Sequence, residues 1–191
     1  APSQWLAERL NARVTPLGIG GAPGRAAGAR TTLLAAGRFG DLKGTADLFE
    51  IVRRVLATAP RVDAVIAGGL PDNAKGERRW LRRFEAETDP ELRARVRFTG
   101  WLPPDQLARE LDRAAVFLSP SYSETFGLTV LEAMARGVTV VASDLPPLHE
   151  LVDPGRTGLL VPPGDLHGFH TTIGYLMTDS KSGEQIGNAA T

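Results

Sequence analysis

The stretch Ala114–Ser143, AAVFLSPSYSETFGLTVLEAMARGVTVVAS, carries the periodic signals of one βαβ unit. AAVFLSP (114–120) and VTVVAS (138–143) are short apolar runs of the kind that strands covered on both faces need. Between them, GLTVLEAMAR (127–136) is apolar almost all round, as a helix pressed between a sheet and its neighbours should be. Gly137 is a natural C-terminal stop for that helix. A strand, a helix and a strand in this order imply parallel pairing, because parallel partners need a crossover connection.

The same rhythm extends in both directions. TTLLAAG (31–37), VDAVIAGG (62–69), RVRFTG (95–100) and TGLLVP (157–162) bring the strands to six. Leu48, Ile51, Val52, Val55 and Leu56 recur at helical spacing, with Glu50, Arg53 and Arg54 turned away. NAKGERRWLRRFEAE (73–87) reads as a second helix, and Pro103-Pro104 opens a third with Leu107 and Leu111 on one side. A last helix begins near Asp165. The expected fold class is therefore α/β: a Rossmann-like, doubly wound, mainly parallel six-stranded sheet. Ligands of such sheets bind beyond the carboxyl ends of the strands. That directs attention to the loops at 37–45, 68–73, 99–105, 119–128 and 143–148.

Residues 1–30 stand apart. QWLAERLNARV has a short helical pattern, and TPLGIGGAPGRAAGAR, rich in Gly, Ala and Pro, reads as a linker. The division is thus 1–30 and 31–191. Gly18-Ile19-Gly20 invites a dinucleotide loop. Its third glycine falls at Gly24 after Pro23, however, and no apolar-periodic helix follows directly.

Composition narrows the function classes. Lys+Arg and Asp+Glu both number 22, so no net charge favours coating of nucleic acid or of an anionic membrane. The absence of cysteine excludes disulfides and thiolate chemistry, and fits a cytoplasmic location. No apolar run approaches the roughly 18 residues of a membrane span. His149, His167 and His170 read as surface or structural histidines. Arg78, Arg79, Arg82 and Arg83 read as a solvated helix face diluted by Glu77, Glu85 and Glu87, with Trp80 and Phe84 in the core.

Two constellations carry chemistry. GRFGDLKG (37–44) places Arg38 and Lys43 in one loop at a helix N-terminus, where two cations and backbone N–H groups suit a diphosphate. The competing reading is a solvated loop in which Asp41 pairs with a cation. SETFGLTVLEA (123–133) sets Glu124 on a polar loop and Glu132 in the second turn of an apolar helix. A carboxylate at 132 accepts from two adjacent hydroxyls, such as a ribose diol, or pairs with Arg136 four residues on. Spacing leaves both open. Along the chain, a cationic loop followed by two carboxylates brackets a ligand with phosphates in its middle and hydroxyl-bearing rings on either side.

GRFGDLKG, AVIAGG, the run from VRFTGWLPPDQ to LPPLHELV, and GRTGLLVPPGD together resemble the carboxyl-terminal, donor-binding domain of retaining GT-B fold glycosyltransferases of the family 4 type. The resemblance covers residue 31 to about 178. Its most specific element is the E-x7-E pattern with Phe-Gly inside it. It implies that Arg38 and Lys43 hold the donor's diphosphate and, with Glu124, make up the catalytic set. Glu124 would bind sugar hydroxyls beside the main chain at Phe126, Gly127 and Leu128, and Glu132 the ribose. The base would lie against Gly100 to Leu102, with Gly37 and Gly69 ending strands beside the ligand. It further implies hexosyl transfer with retention from a UDP- or GDP-sugar, with no metal and no cofactor besides the donor.

The expected partners are the nucleotide sugar and an amino-terminal GT-B domain carrying the acceptor site. APSQWLAERL resembles the end of that domain, so the chain is expected to begin where it finishes and to transfer little or nothing alone. Nucleic acid is not an expected partner, and peripheral attachment of a full-length enzyme to the inner membrane has no signal here. The alternative is a non-catalytic nucleotide-binding or partner-binding Rossmann-like module. A nicotinamide oxidoreductase, a GT-B phosphorylase and a sugar-nucleotide epimerase rank below it.

Overall fold

Six strands share one sheet: β1 (Thr32–Gly37), β2 (Asp63–Gly68), β3 (Val96–Phe98), β4 (Ala114–Ser119), β5 (Thr139–Ser143) and β6 (Leu159–Val161). They lie in the order 3-2-1-4-5-6, and each neighbouring pair is parallel. The chain thus leaves β3 at one edge and re-enters the sheet beside β1, which is the switch of direction that defines a doubly wound fold. This computed structural model describes Gln4, residues 31–69 and residues 74–190. Apart from Gln4, the linker and dinucleotide-loop readings of residues 1–30 lie outside the described residues.

Side-chain alternation along the strands sends every second residue to opposite faces. Leu33, Ala35, Ile66, Val116, Leu118 and Val141 face one layer, formed by α1 (Thr45–Thr58), α2 (Ala74–Glu87) and α6 (Leu166–Thr178). Leu34, Val65, Phe117, Val140 and Ala142 face the other, formed by α4 (Pro104–Arg113), α5 (Leu128–Met134) and the 3₁₀ turn Pro146–Glu150. On the first face Phe49 of α1 meets Phe39, Trp80, Phe84 and Phe98 edge-on, with ring centroids 5.0–6.2 Å apart. Each such pair adds about 0.5–1.5 kcal/mol to the burial itself. This cluster ties the loop after β1 to α2 and β3.

Three elements escape the sequence reading. A four-residue helix, α3 (Pro90–Arg93), starts at Asp89, whose side chain accepts from the Glu91 N–H at 3.0 Å. The segment at Leu148 forms a 3₁₀ turn, Pro146–Glu150, in which the Leu148 N–H donates to Leu145 O at 2.9 Å. The chain after Asp165 makes two helices rather than one. Asp179 ends α6, and its carboxylate caps α7 (Ser180–Ala189), which packs on β5 with Thr139 Oγ1 donating to Gly183 O. Among the described residues no helix is long and apolar enough to cross a membrane.

Candidate functional site

β1 and β4 are sequence-distant but adjacent in the sheet, so the loops that leave their carboxyl ends meet. Ser119 and Pro120 therefore stand beside Gly37 and Arg38 on the wall of one cavity of about 330 Å³. The two loops are bonded directly: the N–H groups of Tyr122 and Ser123 donate to Leu42 O at 2.9 and 3.1 Å, and Tyr122 OH donates to Asp47 Oδ2 at 2.5 Å. Gly44 makes this approach feasible. Its φ is +63°, and a Cβ there would lie 1.9 Å from Pro120 O, a backbone atom that cannot yield.

The closest consequence is an ion pair. Lys43 Nζ lies 2.7 Å from Glu124 Oε2, with the two side chains 29% and 14% exposed. The lysine thus pairs across the loops with Glu124 and not with its neighbour Asp41. Arg38 is exposed and has no ion pair among the described residues. Arg38, Lys43 and Glu124 together line this cavity and a second of about 620 Å³.

The backbone of the two loops is unequal. After β1 the chain makes a 3₁₀ turn, Asp41–Lys43, in which the N–H groups of Lys43 and Thr45 return to Gly40 O and that of Gly44 to Asp41 O. The expected surplus of free amides at this loop is therefore reduced, and side chains carry its positive character. After β4, Phe126 and Gly127 are buried on the cavity wall, and their N–H groups have no backbone partner among the described residues. Leu128 borders the same space.

Glu132 is one turn further along α5 and borders none of the three cavities described. Arg136, its expected i,i+4 partner, donates instead to Asp112 Oδ1 at 2.7 Å. Glu132 consequently has no hydrogen bond or ion pair among the described residues, and burial pushes its carboxyl above the ordinary glutamate range despite the nearby charge of Arg136.

The remaining predicted positions gather along the carboxyl edge. The Gly69 N–H donates to Gly37 O at 3.3 Å and the Gly68 N–H to Gly100 O at 3.1 Å, aligning the exits of β1, β2 and β3. Leu102 lines a third cavity of about 210 Å³ with Gly37, Arg38, Gly69 and Trp101. Thr129 borders both this cavity and the first. Sequence reasoning passed over Thr129, and it included Trp101 only as part of the main chain from Gly100 to Leu102 without singling out its side chain. Thr129 lies inside the E-x7-E stretch, and a large aromatic in a loop before Pro103-Pro104 was a readable signal for Trp101. His149 is on the surface, bonded to Asp144. Among the described residues no three His, Asp or Glu side chains converge to hold a metal ion.

The family model described as glycosyl transferases group 1 matches residues 30–179. A D-inositol 3-phosphate glycosyltransferase from Acidothermus cellulolyticus is 33% identical over 199 residues, covering 96% of this chain and 44% of that protein. Against the first three curated relatives, the chain spans from 19% to 44% of their length. Among solved structures, the C-terminal domain of the glycosyl transferase group 1 family protein LpcC from Francisella tularensis matches with a TM-score of 0.73 at 23% identity. That match covers 88% of this chain and 84% of the other. HepE of Anabaena, in complex with UDP-glucose, matches with a TM-score of 0.74 at 23% identity, over 84% and 43% of the two chains. At these identities the two structures establish the fold, the Rossmann-like half of GT-B.

Proposed function

The chain belongs to the glycosyl transferases group 1 family, and we propose that it is the donor-binding domain of a cytoplasmic, retaining, metal-independent hexosyltransferase of the family 4 type. The observation that carries this reading is the meeting of Arg38, Lys43 and Glu124 at the exits of β1 and β4, one cation exposed and the other held by the carboxylate. In this reading the donor runs along the carboxyl edge of the sheet. Its base lies by Trp101 and Leu102 and its ribose reaches Glu132, which gains the hydroxyl donors it lacks. The diphosphate takes Arg38 and Lys43, and the hexose lies against Glu124 and the N–H groups of Phe126 and Gly127.

Binding is then an exchange of partners. The arriving diphosphate takes Lys43 Nζ, and Glu124 turns to the sugar hydroxyls, so each charged group leaves one charge-assisted bond for another. As the bond from the anomeric carbon to the diphosphate oxygen breaks, negative charge grows on the departing oxygen. Arg38 and Lys43 stabilise it there, a task worth about 10²–10³ in rate for one well-placed donor. The acceptor site belongs to an amino-terminal domain, without which the chain binds donor and transfers little. UDP- and GDP-sugars are the donor candidates, and the UDP-glucose held by HepE supports the first.

Calorimetric titration with UDP, GDP, UDP-glucose and GDP-mannose tests the reading. One nucleoside diphosphate should bind, its sugar form should bind more tightly, and Glu124→Ala should erase that preference. If Glu124→Ala leaves the sugar nucleotide's affinity intact while Arg38→Ala and Lys43→Ala lower it, the chain is a non-catalytic nucleotide-binding module.

A further inference from the structure

The loop after β4 is fastened to the segment after β1 in three ways. The N–H groups of Tyr122 and Ser123 share Leu42 O, Glu124 holds Lys43, and Tyr122 OH donates to Asp47 Oδ2. These ties are not equally durable. In the donor reading the diphosphate takes Lys43 from Glu124, so the ion pair is lost when the ligand arrives. Glu124 must then stay at the hexose on a loop that has just given up one of its ties. The two bonds to Leu42 O meet at a single atom, and a segment held at one atom can still pivot about it.

Tyr122 supplies the second point of attachment. Its hydroxyl reaches Asp47 in the first turn of α1, a helix whose Leu48, Ile51, Val52, Val55 and Leu56 are buried in the core. The carboxylate therefore stands on a firm support and not on another loop. Gly164, in the loop after β6, also lies against the phenol: a Cβ there would be 3.0 Å from Tyr122 OH and 3.7 Å from the ring. The exits of β4 and β6 and the start of α1 thus converge on one hydroxyl.

That hydroxyl is a lasting donor. Its bond to Asp47, and after it burial, pushes the phenol above the ordinary tyrosine range, so the proton stays on at neutral pH. Tyr122 borders none of the three cavities, whereas Ser121, Ser123 and Glu124 on either side of it do. It acts on a ligand only through these neighbours.

We propose that Tyr122 is a positioning residue for the donor sugar: its bond to Asp47 holds Glu124 at the hexose once the diphosphate has taken Lys43. The proposal rests on the donor reading and adds to it a residue that the ligand does not touch.

Tyr122→Phe removes the hydroxyl and keeps the ring. Calorimetry compares each nucleoside diphosphate with its sugar form, UDP with UDP-glucose and GDP with GDP-mannose. The variant should bind the nucleoside diphosphate as the original chain does, while affinity for the sugar form falls about tenfold, the low end of what a hydrogen bond to a charged group contributes. Asp47→Ala should reproduce this selective loss, and the double variant should lose no more, because both substitutions break the same bond. Equal losses for the two ligands would show general loosening of the site, and additive losses would show separate roles; either overturns the proposal. A sugar preference that Glu124→Ala erases and Tyr122→Phe leaves intact would overturn the positioning role alone. If the original chain binds no nucleotide, or binds one without preferring its sugar form, the donor reading fails and the positioning role falls with it.

Discussion

Glu124 has a lysine 2.7 Å away, supplied by a loop 81 residues earlier, whereas Glu132, eight residues later in the same motif, has no ion pair or hydrogen bond among the described residues. The two carboxylates differ because the two chain segments that hold them differ in reach. Glu124 is on a loop that crosses to the exit of β1, where Lys43 stands. Glu132 is fixed to a helix whose other charged neighbour, Arg136, is engaged with Asp112. One carboxylate is stored against an internal cation, and the other is stored without a partner at a cost in stability. Both are groups that a hydroxyl-bearing ligand would satisfy.

The contrast is most severely tested at Gly44. Gly44→Ala places a methyl group 1.9 Å from Pro120 O at a φ of +63°, so the two loops must part. Overpacking and a left-handed backbone together cost about 2–5 kcal/mol. Chemical denaturation should show that loss, and nucleotide binding should fall with it, leaving Glu124 as solitary as Glu132. A variant of normal stability would mean that the loop contact does not hold the site together.

Lys43→Met removes the cation and keeps most of its length. Glu124 is then left half-buried without its partner, at a cost of about 1–3 kcal/mol, less what solvent returns to it. Nucleotide affinity should fall by about tenfold or more, the worth of one charged hydrogen bond. Retention of full affinity in calorimetry would exclude Lys43 from the diphosphate site.

The smallest effect has the opposite sign. Because the folded pKa of Glu132 is raised, the folded state holds its proton more tightly than the unfolded state. Stability contributed by this group is therefore full below the ordinary glutamate range and declines as pH climbs from there to the folded value. Glu132→Gln should raise stability at neutral pH by about 1 kcal/mol, or about 2–4 °C in Tm for a chain of this size. The gain should vanish under acid conditions that protonate both forms. Nucleotide binding should weaken even as the fold grows more stable. A variant less stable at neutral pH would show that Glu132 has a partner after all.

Much of this molecule is legible along the chain. Alternating apolar runs and helical stripes placed all six strands within two residues of their ends, because burial on both faces leaves a periodicity that needs no knowledge of neighbours. The motif GRFGDLKG and the E-x7-E pattern marked the loops that border the cavities. What escaped is short or poor in apolar residues. α3 has four residues, and α7 offers Ile186 as its apolar contact, its position depending on Asp179 and Thr139.

The pairing of charges escaped for a different reason. Sequence offered Lys43 a neighbour in Asp41 and Glu132 a neighbour in Arg136, and the structure used neither. It joined Lys43 to Glu124 and Arg136 to Asp112. By itself the sequence determined the elements, their order and the loops that border the cavities, since hydrophobic period and turn chemistry act over a few residues. Only the tertiary structure decided which charges meet and which carboxylate stays alone. That choice follows from β1 lying beside β4, a contact between segments some eighty residues apart that no local spacing encodes.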